Sequence, residues 1–224
     1  MTEIALFDLD GTLIDSMKDI ARAVNRMRES FGLPPMATGE IAPMTGNGIV
    51  TLVTRALKGS DAPVAEGVKL QTAFYAEDPV TETRLYPGVM EGLEIMRSKG
   101  IHLAVVTNKQ TPIARKILET LGAASFFDEI WGGGSGFPLK PDPAALLAFQ
   151  KQYGAAKENC WMLGDHYTDL GAGRAAGFNR GFARWGYGEL RTETFDREFD
   201  SFEAFTAAVT EVKEGSRSYG TLGK

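Results

Sequence analysis

The sequence predicts an α/β protein, an open, doubly wound parallel sheet carrying an inserted bundle of helices. Three observations lead there. Short apolar runs without polar alternation recur along the chain, as strands covered on both faces require. Helix signals separate most of these runs, and alternating β and α elements favour a parallel sheet. Only the stretch from Ser16 to about Thr83 departs from that rhythm, showing helical patterns alone.

In chain order, Ile4–Phe7 is the first strand. Ser16 and Asp19 have capping-box spacing and open the helix "MKDIARAVNRMRESFG", which Gly32 and Pro34 stop. Ile49, Leu52, Val53, Ala56 and Leu57 mark a second helix ending near Gly59, and a weaker third follows Pro63 up to Asp78. His102–Val106 is the next strand. In "TNKQTPIARKILETLG", Thr111 is a cap, Pro112 suits the first helical position and Gly122 the exit. Ile113, Ile117, Leu118 and Leu121 form its buried stripe. Glu129–Trp131 follows, and then a helix capped by Asp142, started by Pro143 and ended by Gly154. Cys160–Leu163 and Arg180–Ala183 are the remaining strands, and Phe202, Phe205, Val209 and Val212 give the last helix an apolar face. Residues 1–15 and 84–214 then form a Rossmann-like core, 16–83 a helical insert and 215–224 a mobile tail.

A chain of 224 residues, 43% hydrophobic and 24% charged, is ordinary for a soluble globular protein with a sizeable core. The net charge of −5 argues against a nucleic-acid partner recognised through bulk positive charge. The lone cysteine, Cys160, sits beside Trp161, Met162 and Leu163 and reads as a packed thiol. The first strand begins too early to leave room for a signal peptide, and no apolar run reaches membrane-spanning length. A cytoplasmic protein without membrane partners is expected. No feature points to a particular oligomeric state.

Chemistry collects where ligands bind in such sheets, beyond the carboxyl ends of the strands. Asp8 and Asp10 end the first strand, Thr107 and Asn108 the second, and "GDHYTD" after the fourth gives Asp165 and Asp169, while Lys140 precedes a helix after the third. Two carboxylates about 4 Å apart repel by about 4 kcal/mol at an effective dielectric near 20. A divalent cation and a phosphoryl group give such a cluster a task. Mg²⁺ wants oxygen ligands, which Asp8 and Asp165 can supply, with Asp169 ligating or orienting a water. Thr107 and the Asn108 amide can hold phosphoryl oxygens while Lys140 neutralises developing charge. Gly11, without a Cβ, lets the chain turn sharply there.

"DLDGT", "VVTNK", "KPDP" and "GDHYTD", in that order and around a helical insert, resemble the haloacid dehalogenase superfamily, mostly aspartate-nucleophile phosphatases. The resemblance covers nearly everything but the tail. It implies a Mg²⁺-dependent phosphomonoester hydrolase acting on a small phosphorylated metabolite. It further implies that Asp8 attacks phosphorus to form an aspartyl-phosphate. Asp10 would protonate the leaving alkoxide and then activate water, its main-chain carbonyl serving as another metal ligand. The insert resembles the small helical cap of that superfamily, whose closure would expel water. "MTGNGIVTLVTRALKG" and "LYPGVMEGLEIMRSKG" look like the phosphoglycolate phosphatases, so 2-phosphoglycolate is the substrate this implies. Gly46, Asn47 and Gly48 would then offer a cap loop to the substrate. Arg55 and Lys58 are either carboxylate partners or solvated helix charges.

A dehalogenase or phosphonate hydrolase is disfavoured because those relatives lack the acid at the position of Asp10. A β-phosphoglucomutase-like transferase, a pyrophosphatase and a nucleotidase all keep it. A receiver-type phospho-aspartate module or other non-catalytic binding protein needs neither a helical cap nor an acid–base partner beside the nucleophile. The remaining polar residues read more plainly. Asp15 begins the linker to the insert, His102 packs on its strand, and His166 is either an exposed loop residue without a role or one that touches a substrate or shifts the pH dependence. Trp185 and Tyr187 line the cleft or anchor a loop, and the Gly132–Gly134 run bends the backbone.

Overall fold

A computed structural model describes residues 3–211. Val212, the core's expected end at 214 and the 215–224 tail lie outside the described residues. Four residues, β1 (Ile4–Phe7), are buried throughout and lie at the centre of the sheet. β1 pairs in parallel with β4 (His102–Gln110) and β6 (Cys160–Gly164), so that Ile4 is level with both His102 and Cys160. With β5 (Glu129–Gly133), β7 (Asn179–Ala183) and β8 (Arg197–Phe199), the order is β5-β4-β1-β6-β7-β8. Every pairing in it is parallel. The five expected strands are all present. β4 runs four residues past the expected Val106, and β8 is an edge strand that its short polar sequence conceals.

Alternation along the buried strands fills both faces. Ala5 and Phe7 of β1, with Leu103 and Val105 of β4, face one layer. It contains α5 (Val89–Ser98), α6 (Thr111–Thr120) and α9 (Phe202–Thr210), and in it Phe7 meets Phe127, Phe202 and Phe205. Ile4, Leu6, Ala104 and Met162 face α7 (Ala144–Tyr153) and α8 (Tyr167–Ala176) on the other side, with Phe149 and a buried Cys160. Burial pushes the Cys160 thiol up to about 12, consistent with a packed rather than reactive group. His102 stacks on Tyr153 and shares Asp128 with Arg97, a packing position as expected.

Between β2 (Ile14–Asp15) and β3 (Arg84–Leu85), an antiparallel ribbon, lie α1 (Met17–Ser30), α2 (Thr38–Ile41), α3 (Ile49–Ala56) and α4 (Val64–Glu77). Three of these follow the expected helices closely. The capping box does not form. Ser16 is the N-cap of α1, but its hydroxyl reaches Asp10 instead, and Asp19 turns to the far end of the insert. There its buried carboxylate accepts from the amides of Glu82 and Thr83, from the Thr83 hydroxyl and from Arg22. Burial alone would raise its pKa, but these donors hold it below the usual carboxylate range. Thr111 likewise is the first residue of its helix, its hydroxyl bonding Gly132 and Gly133 while Gln110 occupies the cap.

Asp19→Ala should therefore cost about 3 kcal/mol, since it strands several buried donors at once. A depressed folded-state pKa makes this contribution complete above the unfolded-state value of about 4 and lost as pH falls through the folded value. Urea denaturation of both proteins should show the full difference at neutral pH and a smaller one in strong acid, where the neutral carboxyl still accepts hydrogen bonds but no longer carries its charge. An equal gap at both would contradict the role given to the carboxylate.

Candidate active site

The strands end together, and their carboxyl ends build a cavity lined by Asp8, Asp10, Thr107, Asn108, Lys109 and Asp165 below and by residues of the insert above. Gly11 has φ +83°, and a Cβ there would fall 2.1 Å from Asp165 Oδ2. Only glycine permits both the turn and that approach.

Asp8, Asp165 and Asp169 are buried, and each offers an oxygen within 4.8 Å of those of the other two. Lys140, also buried, lies 2.7 Å from Asp8 Oδ1 and 2.7 Å from Asp169 Oδ1. Burial in the first place, partly opposed by Lys140 and reinforced by Asp169 and Asp10, pushes the Asp8 carboxyl up to about 6. Asp165 makes no ion pair among the described residues. It accepts from the amides of Tyr187 and Gly188 and from Thr12, yet burial, Asp169 and Asp8 raise its pKa well above the usual range. Of three buried carboxylates, all hard oxygen donors, only Asp8 and Asp169 pair with the one buried lysine beside them. That donor set fits a hard divalent cation, which would relieve the repulsion that Lys140 alone leaves. Asp169 also accepts from the His166 amide, so it is fixed in place whether it ligates or orients.

Asp10 is held separately. Its Oδ2 lies 2.8 Å from Lys109 Nζ, and its Oδ1 accepts from Ser16, whose oxygen is 3.1 Å from the Tyr187 hydroxyl. Lys109, quoted within "VVTNK", received no task from the sequence. Its signal was its place: β4 continues past Val106, and Lys109 follows Thr107 and Asn108 into the same cavity wall. Burial disfavours the Lys109 charge, but Asp10 and then Tyr75 more than offset this and raise its pKa. Tyr187 lines the cavity, whereas Trp185 anchors its loop by donating to the Thr12 carbonyl.

Thr107 Oγ accepts from the Lys109 amide, and the hydroxyl keeps its own proton to donate. The Asn108 side chain is fully engaged: it donates to the carbonyls of Gly46 and Lys140 and accepts from the Lys140 amide. Only its main-chain amide is left for a substrate oxygen. Gly46 and Gly48 line the cavity. Asn47 instead donates to the Tyr167 hydroxyl, so its side chain joins the insert to α8. Arg55 donates to the carbonyls of Pro43 and Met44 and does not line the cavity, and Lys58 is exposed. The solvated-charge reading therefore holds for Lys58, and Arg55 props the loop before Gly46.

His166 is not the exposed loop residue expected. It is 5% exposed, its ring covered by Gly46, where a Cβ would come within 2.8 Å. It pairs with Thr168 and caps α8, and burial, only partly opposed by Asp8, pushes it down to about 4, leaving a neutral ring.

The family model described as haloacid dehalogenase-like hydrolase matches residues 5–183. A phosphoglycolate phosphatase of Aquifex aeolicus is 37% identical over 193 residues, spanning 86% of this chain and 90% of its own. Phosphoglycolate phosphatase 1 of Pseudomonas aeruginosa is 36% identical over 197 residues, spanning 85% and 72%. A crystal structure from Haemophilus somnus, described as a predicted phosphoglycolate phosphatase, superposes with a TM-score of 0.87 at 29% identity, covering 92% of this chain and 97% of that one. The chain belongs to the haloacid dehalogenase-like hydrolases. Within that family its sequence and fold are phosphoglycolate phosphatase-like. Among the described residues, no helix is long and apolar enough to cross a membrane.

Proposed function

We propose that this chain is a Mg²⁺-dependent phosphomonoester hydrolase that works through an aspartyl-phosphate on Asp8, with 2-phosphoglycolate as its substrate. The observation that carries the reading is the cluster itself: Asp8, Asp165 and Asp169 within 4.8 Å, with Lys140 shared between the first and last. Mg²⁺, held by Asp8, Asp165, the Asp10 main-chain carbonyl and Asp169 directly or through water, would polarise the phosphoryl oxygens and offset the crowded charge. Lys140 orients Asp8 and balances negative charge as the phosphoryl group transfers. Thr107 and the Asn108 main-chain amide receive the remaining oxygens. Asp10, steadied by Lys109 and Ser16, protonates the leaving alkoxide and then takes a proton from the water that cleaves the intermediate. Residues 16–83 act as the cap over this chemistry, and residues 1–15 with 84–214 as the core. The Gly46 carbonyl bound by Asn108 and the Asn47 contact with Tyr167 support a closed arrangement.

The substrate assignment is supported by relatives named phosphoglycolate phosphatase at 34–37% identity. Phosphate release from a panel of phosphorylated metabolites should be fastest with 2-phosphoglycolate. It should vanish in EDTA and return with added Mg²⁺. No release from any monoester, or release indifferent to EDTA, would overturn the proposal, and conversion of hexose phosphates to isomers would favour a mutase.

A further inference from the structure

We infer that Gln71, together with Lys109, grips a carboxylate on the leaving-group side of the substrate and so determines specificity; this rests on the phosphomonoesterase reading above. Gln71 is 3% exposed and lines the cavity that holds Asp8 and Asp10, yet its carboxamide makes no hydrogen bond among the described residues. Its polar atoms are not sealed in the protein interior but open onto the cavity, where a ligand can reach them. A ligand acceptor in the cavity supplies the missing bond.

The charge is that of Lys109 on β4, held against the next turn of the helix that carries Gln71. Gln71 and Tyr75 are four apart on α4 and therefore share a face. The Tyr75 hydroxyl is 3.0 Å from Lys109 Nζ, which also pairs with Asp10. An ammonium has three donors, so one is left over. Among the described residues that line the cavity, Lys109 is the only lysine or arginine. An anionic leaving group therefore has one fixed positive charge to meet, and Gln71 lines the same cavity one helical turn from the tyrosine that holds it. Ile20, Ile49, Leu52 and Ile113 supply apolar wall, which suits a small acid better than a polyhydroxylated sugar.

The test compares 2-phosphoglycolate with ethyl phosphate, which has a methyl group in place of the carboxylate. Wild-type protein should prefer the former strongly in kcat/KM. Gln71→Leu should lower that preference about ten- to hundredfold, chiefly through KM for 2-phosphoglycolate. Gln71→Glu should lower it further, because it sets a like charge against the substrate. A merely structural Gln71 would depress both substrates together and leave their ratio unchanged, which overturns the inference. The wild-type ratio is informative without any variant. Equal turnover of the two esters sinks the role of Gln71 but leaves the phosphatase reading standing, whereas turnover of neither sinks that reading itself.

Discussion

Asp8→Asn should lose turnover by about 10⁴-fold or more while remaining folded. An amide oxygen is too poor a nucleophile to displace an alkoxide from phosphorus, and the neighbouring carboxylates Asp165 and Asp169 are assigned to the cation. Lys140 would keep Asp169 at 2.7 Å and would still find an acceptor in the asparagine carbonyl. The substitution also removes one negative charge from a buried group of three, so the metal-free protein has no reason to unfold. Thermal unfolding and initial rates measured side by side would check this. Retained turnover in a folded Asp8→Asn protein would contradict the assignment of the nucleophile.

Asp10→Asn should slow hydrolysis of alkyl phosphates by about 10²–10⁴-fold, the usual worth of general acid–base catalysis. The loss should depend on the leaving group. An alkoxide needs a proton as it departs, but p-nitrophenolate does not. With p-nitrophenyl phosphate the first step should survive and the second, in which water must be deprotonated, should stall. The variant would then show a burst of one p-nitrophenolate per active site followed by slow turnover. Equal losses for alkyl and aryl esters, without a burst, would count against a proton-transfer role. The geometry motivates the distinction, because Asp10 is held by Lys109 and Ser16 rather than by the Lys140 pair that holds Asp8.

Much of this site could be read from the sequence because parallel strands are buried on both faces. Their apolar runs are conspicuous, and the polar residues that end them at Asp8, Thr107 and Asp165 stand out by contrast. The less legible parts depend on partners distant along the chain. Ser16 and Asp19 have local capping spacing, but Asp10 and Thr83 compete for them and win. His166 sits in a polar loop and looks exposed until Gly46 is brought over it. Gln71 and Tyr75 belong to a helix of weak periodicity, where a face lining a cavity looks like a face lining a core. The ribbon of β2 and β3 is two residues long on each side, too short for any pattern to show.

The most direct measurement is acid quenching of the Asp10→Asn protein during its reaction with p-nitrophenyl phosphate, followed by peptide mass analysis. A phosphoryl group should be found on the peptide containing Asp8, labile to hydroxylamine as acyl phosphates are. Free phosphate accumulating with that peptide unmodified, or the group residing on another residue, would mean that phosphoryl transfer takes a different route.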